Sequence, residues 1–109
     1  MNGGQYDYLL EALGFCCISR ESLAEIVRIA ELIDNRNDPK FERSNYYTDL
    51  ATQTSLSPLH VELILEVLDR KELSEHGTSV RGSWLTEKGE RFLDGYKQLE
   101  KLKMREETE

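Results

Sequence analysis

The stretch from Leu50 to Leu73, LATQTSLSPLHVELILEVLDRKEL, constrains the fold more than any other part of the chain. Leu50 and Ala51 are the core contacts of a short helix over Asp49–Gln53. Thr48 is a good cap for its start, and Asp49 suits the positive end of its first turn. The helix ends near Thr54, and a tight turn follows through Ser55 and Leu56. Ser57 caps a second helix with Pro58 at its first position, where proline loses no hydrogen bond. Val61, Ile64, Leu65 and Leu68 recur at helical steps and predict an inward stripe, with the helix running to about Lys71. A short helix, a three-residue turn and a longer helix make a helix-turn-helix unit.

The flanking segments supply the rest of a core. Leu23, Ile26, Val27, Ala30 and Ile33 form one apolar face of a helix over Ser19–Asn35, and Ile29 and Leu32 widen it. That width predicts a helix covered on two sides. Either Ser22, with Glu25 three residues on, or Ser19 can cap it, and Asn35, Asn37, Asp38 and Pro39 stop it. Before it, Tyr6–Leu13 predicts a short helix closed by Gly14. After it, Phe41, Tyr46 and Tyr47 suggest a short strand or a loop within Lys40–Tyr47 that packs its rings on the core. From Glu87 to about Arg105 the chain reads as one long helix with Phe92, Leu93, Tyr96, Leu99 and Leu102 along one side.

Together with the residues on its C-terminal side, the central stretch resembles the winged helix-turn-helix regulators. The shared pattern is Leu50-Ala51, a turn ending in Leu56-Ser57, then Val61 and spaced leucines, then Leu73 opening the wing. Ser74–Gly77 and Ser83–Leu85 would be the wing strands, joined through Thr78–Gly82. Trp84-Leu85-Thr86-Glu87-Lys88-Gly89, then Phe92-Leu93, is similar to the segment that closes the wing in MarR- and PadR-like regulators. It is similar, too, to that of small archaeal winged-helix proteins with a C-terminal dimerising helix. The resemblance covers roughly residues 20–102. Within this segment Thr86 should cap a helix, and Gly89 should let that helix pass close to the wing or a neighbour. Glu72 departs from the pattern, which usually has glycine there. It must adopt a left-handed conformation or extend the helix differently.

The resemblance implies a mainly α fold with a small β-wing, N-terminal helices and a long C-terminal helix, in one domain over residues 1–109. Residues 19–85 would form the core and wing, and residues 86–105 the dimerising helix. It also implies a sequence-specific transcription regulator that binds double-stranded DNA as a homodimer, with a recognition helix in each of two major grooves. Thr48, Ser57, His60, Arg70, Lys71 and Arg81 would contact DNA, Arg81 from the wing tip. Phe92, Tyr96, Leu99 and Leu102 would form the dimer interface, because the helix past Tyr96 outruns a core this small. The competing arrangement folds that helix back across the first helix of its own chain.

Charge and the outward residues of the second helix favour a different partner. The net charge is −7, and between residues 41 and 85 four basic residues face seven acidic ones. Neutralisation of phosphates by Lys and Arg supplies most DNA affinity, so this balance opposes DNA. Glu62 and Glu66 point the same way, and Leu59, Leu63 and Val67 form a second apolar stripe. The stripe belongs either to a protein interface or beneath the N-terminal helix. The alternative function is therefore a winged-helix interaction or assembly module that does not bind DNA.

Enzyme chemistry finds no support in this chain. It has no glycine-rich phosphate loop, no metal-ligand spacing, and no nucleophile–base constellation, so neither catalytic residues nor a cofactor or metal is expected. Cys16 and Cys17 are adjacent, which strains a mutual disulfide. They read as buried thiols in a reducing compartment, with a redox switch or intersubunit disulfide as the sharper alternative. No apolar run reaches membrane-spanning length, and MNGGQYDYLL lacks the features of a signal peptide. These features predict a cytoplasmic protein with no membrane partner.

Overall fold

Helical periodicity carries directly into the computed structural model, which describes residues 19–37, 45–77 and 82–108. The first helix, α1, spans Arg20–Leu32. Ser19 is the cap, its hydroxyl accepting from the Ser22 N–H at 3.1 Å. Leu23, Ile26, Val27, Ile29 and Ala30 are all buried. The helix is covered on two sides, by the helices of the central unit and by the last helix. It stops at Leu32, short of the expected Asn35, and Asn35–Asn37 make a 3₁₀ turn.

The second helix, α2, spans Tyr47–Thr54, and α3 spans Pro58–Arg70. Tyr47 is therefore helical rather than part of a strand. Asn45 makes an extended pairing, a parallel bridge to Gly82. Thr48 is not the cap. Tyr46 holds that position without a side-chain capping hydrogen bond, and the Thr48 carbonyl accepts from Thr52 Oγ1 at 3.2 Å. The helix starts earlier than propensity predicts, with Leu50 and Ala51 in the core and Tyr47 packed against it. Ser55 takes the left-handed conformation at φ 61°, which turns the chain between α2 and α3. Ser57 caps α3 as expected, its Oγ accepting from the His60 N–H at 3.1 Å.

α3 ends in a Schellman motif built on a residue with a side chain. The Leu73 N–H donates to the Leu68 carbonyl at 2.9 Å, and the Glu72 N–H donates to that of Asp69 at 3.0 Å. Glu72 adopts φ 61° to allow this, and Leu68 and Leu73 are both fully buried. The chain then enters β1, Ser74–His76, which pairs antiparallel with β2, Ser83–Leu85, so that Ser74 faces Leu85 and His76 faces Ser83.

The last helix, α4, spans Glu87–Thr108. Thr86 fastens its start in three ways. Its Oγ1 accepts from the Gly89 N–H at 3.1 Å and donates to the Glu72 carbonyl at 2.7 Å, and its own N–H donates to the Leu73 carbonyl at 3.0 Å. Gly89 is where α4 passes closest to the exit of α3. A Cβ there would lie 1.9 Å from the Leu73 carbonyl oxygen. The described chain is thus mainly helical with a small two-stranded antiparallel sheet. The expected Tyr6–Leu13 helix, Cys16, Cys17, Phe41 and Arg81 lie outside the described residues.

Candidate interaction face on the third helix

The inward side of α3 is fixed by Val61, Ile64 and Leu68, which are buried against the rest of the core. Its opposite side faces outward, and the residues there decide what the helix can touch. Leu59 is 66% exposed, Leu63 54% and Val67 37%. They stand at four-residue steps, so they form one continuous apolar stripe over two turns. Beside the stripe run Glu62, Glu66 and Arg70, also at four-residue steps, with Asp69 nearer the sheet.

Arg70 and His60 on this helix are each held by a neighbouring carboxylate. Arg70 Nη2 lies 2.7 Å from Glu66 Oε1. His60 Nε2 lies 3.1 Å from Glu25 Oε1 on α1, which puts α1 along that flank of the stripe. Ser57 is committed to capping, and Lys71 sits at the C-cap of α3. Thr48 is exposed in the first turn of α2. The structure therefore places Ser57, His60, Arg70 and Lys71 along one helix, but engages His60 and Arg70 with carboxylates and Ser57 with the backbone.

A cleft of about 360 Å³ separates the acidic edge of α3 from the sheet. Glu62, Glu66 and Asp69 line one wall, His76, Gly77 and Ser83 the other, and Asn45, Tyr46 and Tyr47 one end. Asp69 is a junction. One carboxylate oxygen accepts from Ser74 Oγ, and the other is 2.7 Å from His76 Nδ1. Asn45 is 6% exposed and uses its amide nitrogen to donate to the Ser83 carbonyl at 3.1 Å. Its Oδ1 is buried with no hydrogen-bond partner among the described residues. Sequence reading missed this cleft, because Asn45, Asp69 and His76 converge only through the parallel bridge and the Schellman turn. No group of three or more metal-ligating side chains is assembled among the described residues.

The expected dimer residues are placed differently from one another. Phe92 is 2% exposed and belongs to the chain's own core, so it is not a surface contact. Tyr96 and Leu99 are partly buried against the same core, and Leu102 lies at the exposed edge. α4 packs across α1. Burial, and then a hydrogen bond with Glu100, push the Tyr96 phenol up to about 12. Sequence reading also missed Arg36, which ties the end of α1 to α4. Its guanidinium takes the Asp94 carboxylate through two 3.0 Å hydrogen bonds and the buried Asp34 carboxylate at 2.9 Å. Hydrogen bonding to Asp94, then to Asp34, raises Arg36 further above its ordinary range, and Asp94 is lowered in return. Residues so far apart in sequence carry no local signal of this contact.

No helix among the described residues is long and apolar enough to cross a membrane. Compared with known proteins, the chain matches no family model, no curated protein and no solved structure.

Proposed function

We propose that this chain is a winged helix-turn-helix domain that works as a protein-interaction module, docking a partner on the outward face of α3. The observation that carries this reading is the stripe of Leu59, Leu63 and Val67, exposed where a DNA reader presents polar side chains to base edges. Exposed apolar rows of this kind mark contact surfaces for protein. The charge of the helix agrees. Glu62 and Glu66 repel phosphate, and the nearby Arg70 and His60 are already held by carboxylates.

The second reading is a homodimeric DNA-binding regulator, and the order of elements favours it: a helix-turn-helix followed by an antiparallel strand pair and a long helix. On that reading Thr48, Ser57, His60, Arg70, Lys71 and Arg81 face DNA, and Leu102 with the end of α4 pairs two copies.

Fluorescence polarisation on DNA duplexes across a salt series separates the two. Protein docking predicts no binding, even at low salt. Binding that weakens steeply with rising salt, and is lost in Arg70→Ala with Lys71→Ala, overturns it in favour of DNA. A photo-crosslinking amino acid at position 63 supplies the positive test. It should give one discrete protein adduct in cells, which the same label at exposed Gln98 does not.

A further inference from the structure

We infer that the partner docked on α3 presents a cationic amphipathic helix: apolar side chains on Leu59, Leu63 and Val67, and a Lys or Arg in the cleft beside Glu62. This rests on the protein-docking reading and specifies the chemistry of the partner. The stripe selects a helix, because three apolar residues at four-residue steps run straight along the surface for about 12 Å, matching the i, i+3/i+4, i+7 anchors of an amphipathic helix.

The charge of the partner is set by the residues that border the stripe. Along the sheet side lie Glu62, Glu66 and Asp69. Glu66 holds Arg70, Asp69 holds His76 and Ser74, and Glu62 has no ion pair among the described residues. An acidic or phosphorylated partner would meet this row with like charge, whereas a basic side chain completes it.

Asn45 closes one end of the same cleft. Its amide nitrogen must face the Ser83 carbonyl, so the orientation of the amide is determined, and Oδ1 is left without a donor among the described residues. Tyr46 at the end of the cleft adds an aromatic ring to its lining.

Three synthetic helical peptides test this, with one shared apolar face and polar faces carrying Lys and Arg, Glu, or Gln. They are titrated into isotope-labelled full-length protein and followed by NMR. The basic peptide should shift the methyls of Leu59, Leu63 and Val67 and the side-chain amide of Asn45. It should bind at least tenfold more tightly than the other two. Glu62→Lys combined with Glu66→Lys should transfer the preference to the acidic peptide. Both positions are exposed, so folding is retained. Equal binding of all three peptides at the stripe overturns the charge assignment while leaving protein docking intact. No binding of any peptide at α3 overturns both. Contacts from Leu9, Leu10 or Phe15 to the Leu63 methyls in the free protein would assign the stripe to the N-terminal segment. Concentration-dependent shifts there would assign it to a second copy. Either result overturns the inference.

Discussion

Gly89→Ala tests how α4 is fastened to the rest of the fold. In an isolated helix the change is favourable by about 1 kcal/mol, because alanine loses less backbone freedom than glycine. Here the new methyl would lie 1.9 Å from the Leu73 carbonyl oxygen and 2.9 Å from its carbon. An ordinary contact requires the two backbones to separate by more than an ångström. That movement stretches the Thr86 N–H bond to Leu73, now 3.0 Å, and the Thr86 hydroxyl bond to Glu72, now 2.7 Å. Each is worth about 1 kcal/mol net, and overpacking of a tight contact costs about 1–3 kcal/mol more. After subtracting the helical gain, the variant should be about 2–4 kcal/mol less stable, with Tm lower by roughly 10–20 °C. Urea denaturation followed by far-ultraviolet circular dichroism measures this, with the midpoint falling and the slope unchanged. A variant as stable as the parent, or more stable, refutes the reasoning. It would mean that the approach of α4 to Leu73 is loose and helix propensity governs the position.

Three further outcomes are expected. Glu72→Gly should stabilise the protein by about 1 kcal/mol, since glycine takes the left-handed position at the end of α3 without the steric cost that glutamate bears there; the denaturation midpoint reports it. Ser57→Ala should cost about 1 kcal/mol by uncapping α3, and Ser57→Gly only a few tenths, a contrast that distinguishes capping from packing. Arg36→Ala should cost about 2 kcal/mol at neutral pH, because among the described residues Asp34 stays buried with only the backbone N–H of residue 36 as its donor, while solvent around the half-exposed guanidinium limits the loss. Asp94 is lowered in the folded state by Arg36, so its contribution is present above the ordinary carboxylate value near 4 and is lost as pH falls through the lower folded value. The stability gap between parent and Arg36→Ala should therefore narrow on acidification below about pH 4. A gap that does not depend on pH would rule out the Arg36–Asp94 contribution.

Local chemistry made much of this protein legible in its sequence. Apolar spacing located α1, α3 and α4, because each helix must bury one stripe. Hydroxyl residues marked the caps at Ser57 and Thr86, and Gly89 was recognisable as a close approach before its neighbour was known. Where local preference was weak, it misled. β-Friendly Tyr47 became the first residue of α2, and Thr48 lost the capping role, because docking of Leu50 and Ala51 determines where that helix begins.

Tertiary structure decided what no spacing rule carries. That Phe92 turns into the chain's own core, with Tyr96 and Leu99 packed partly against it, depended on how α4 crosses α1. Arg36 meets Asp94 across that same crossing. Asn45, Asp69 and His76 reach one cleft only because the chain reverses after α3. The outward row of Leu59, Leu63 and Val67 could be read from the sequence as a second stripe. Its exposure could not, since that depends on which surfaces the other helices leave uncovered. Periodicity identifies which side chains share a face, and only packing determines what that face meets.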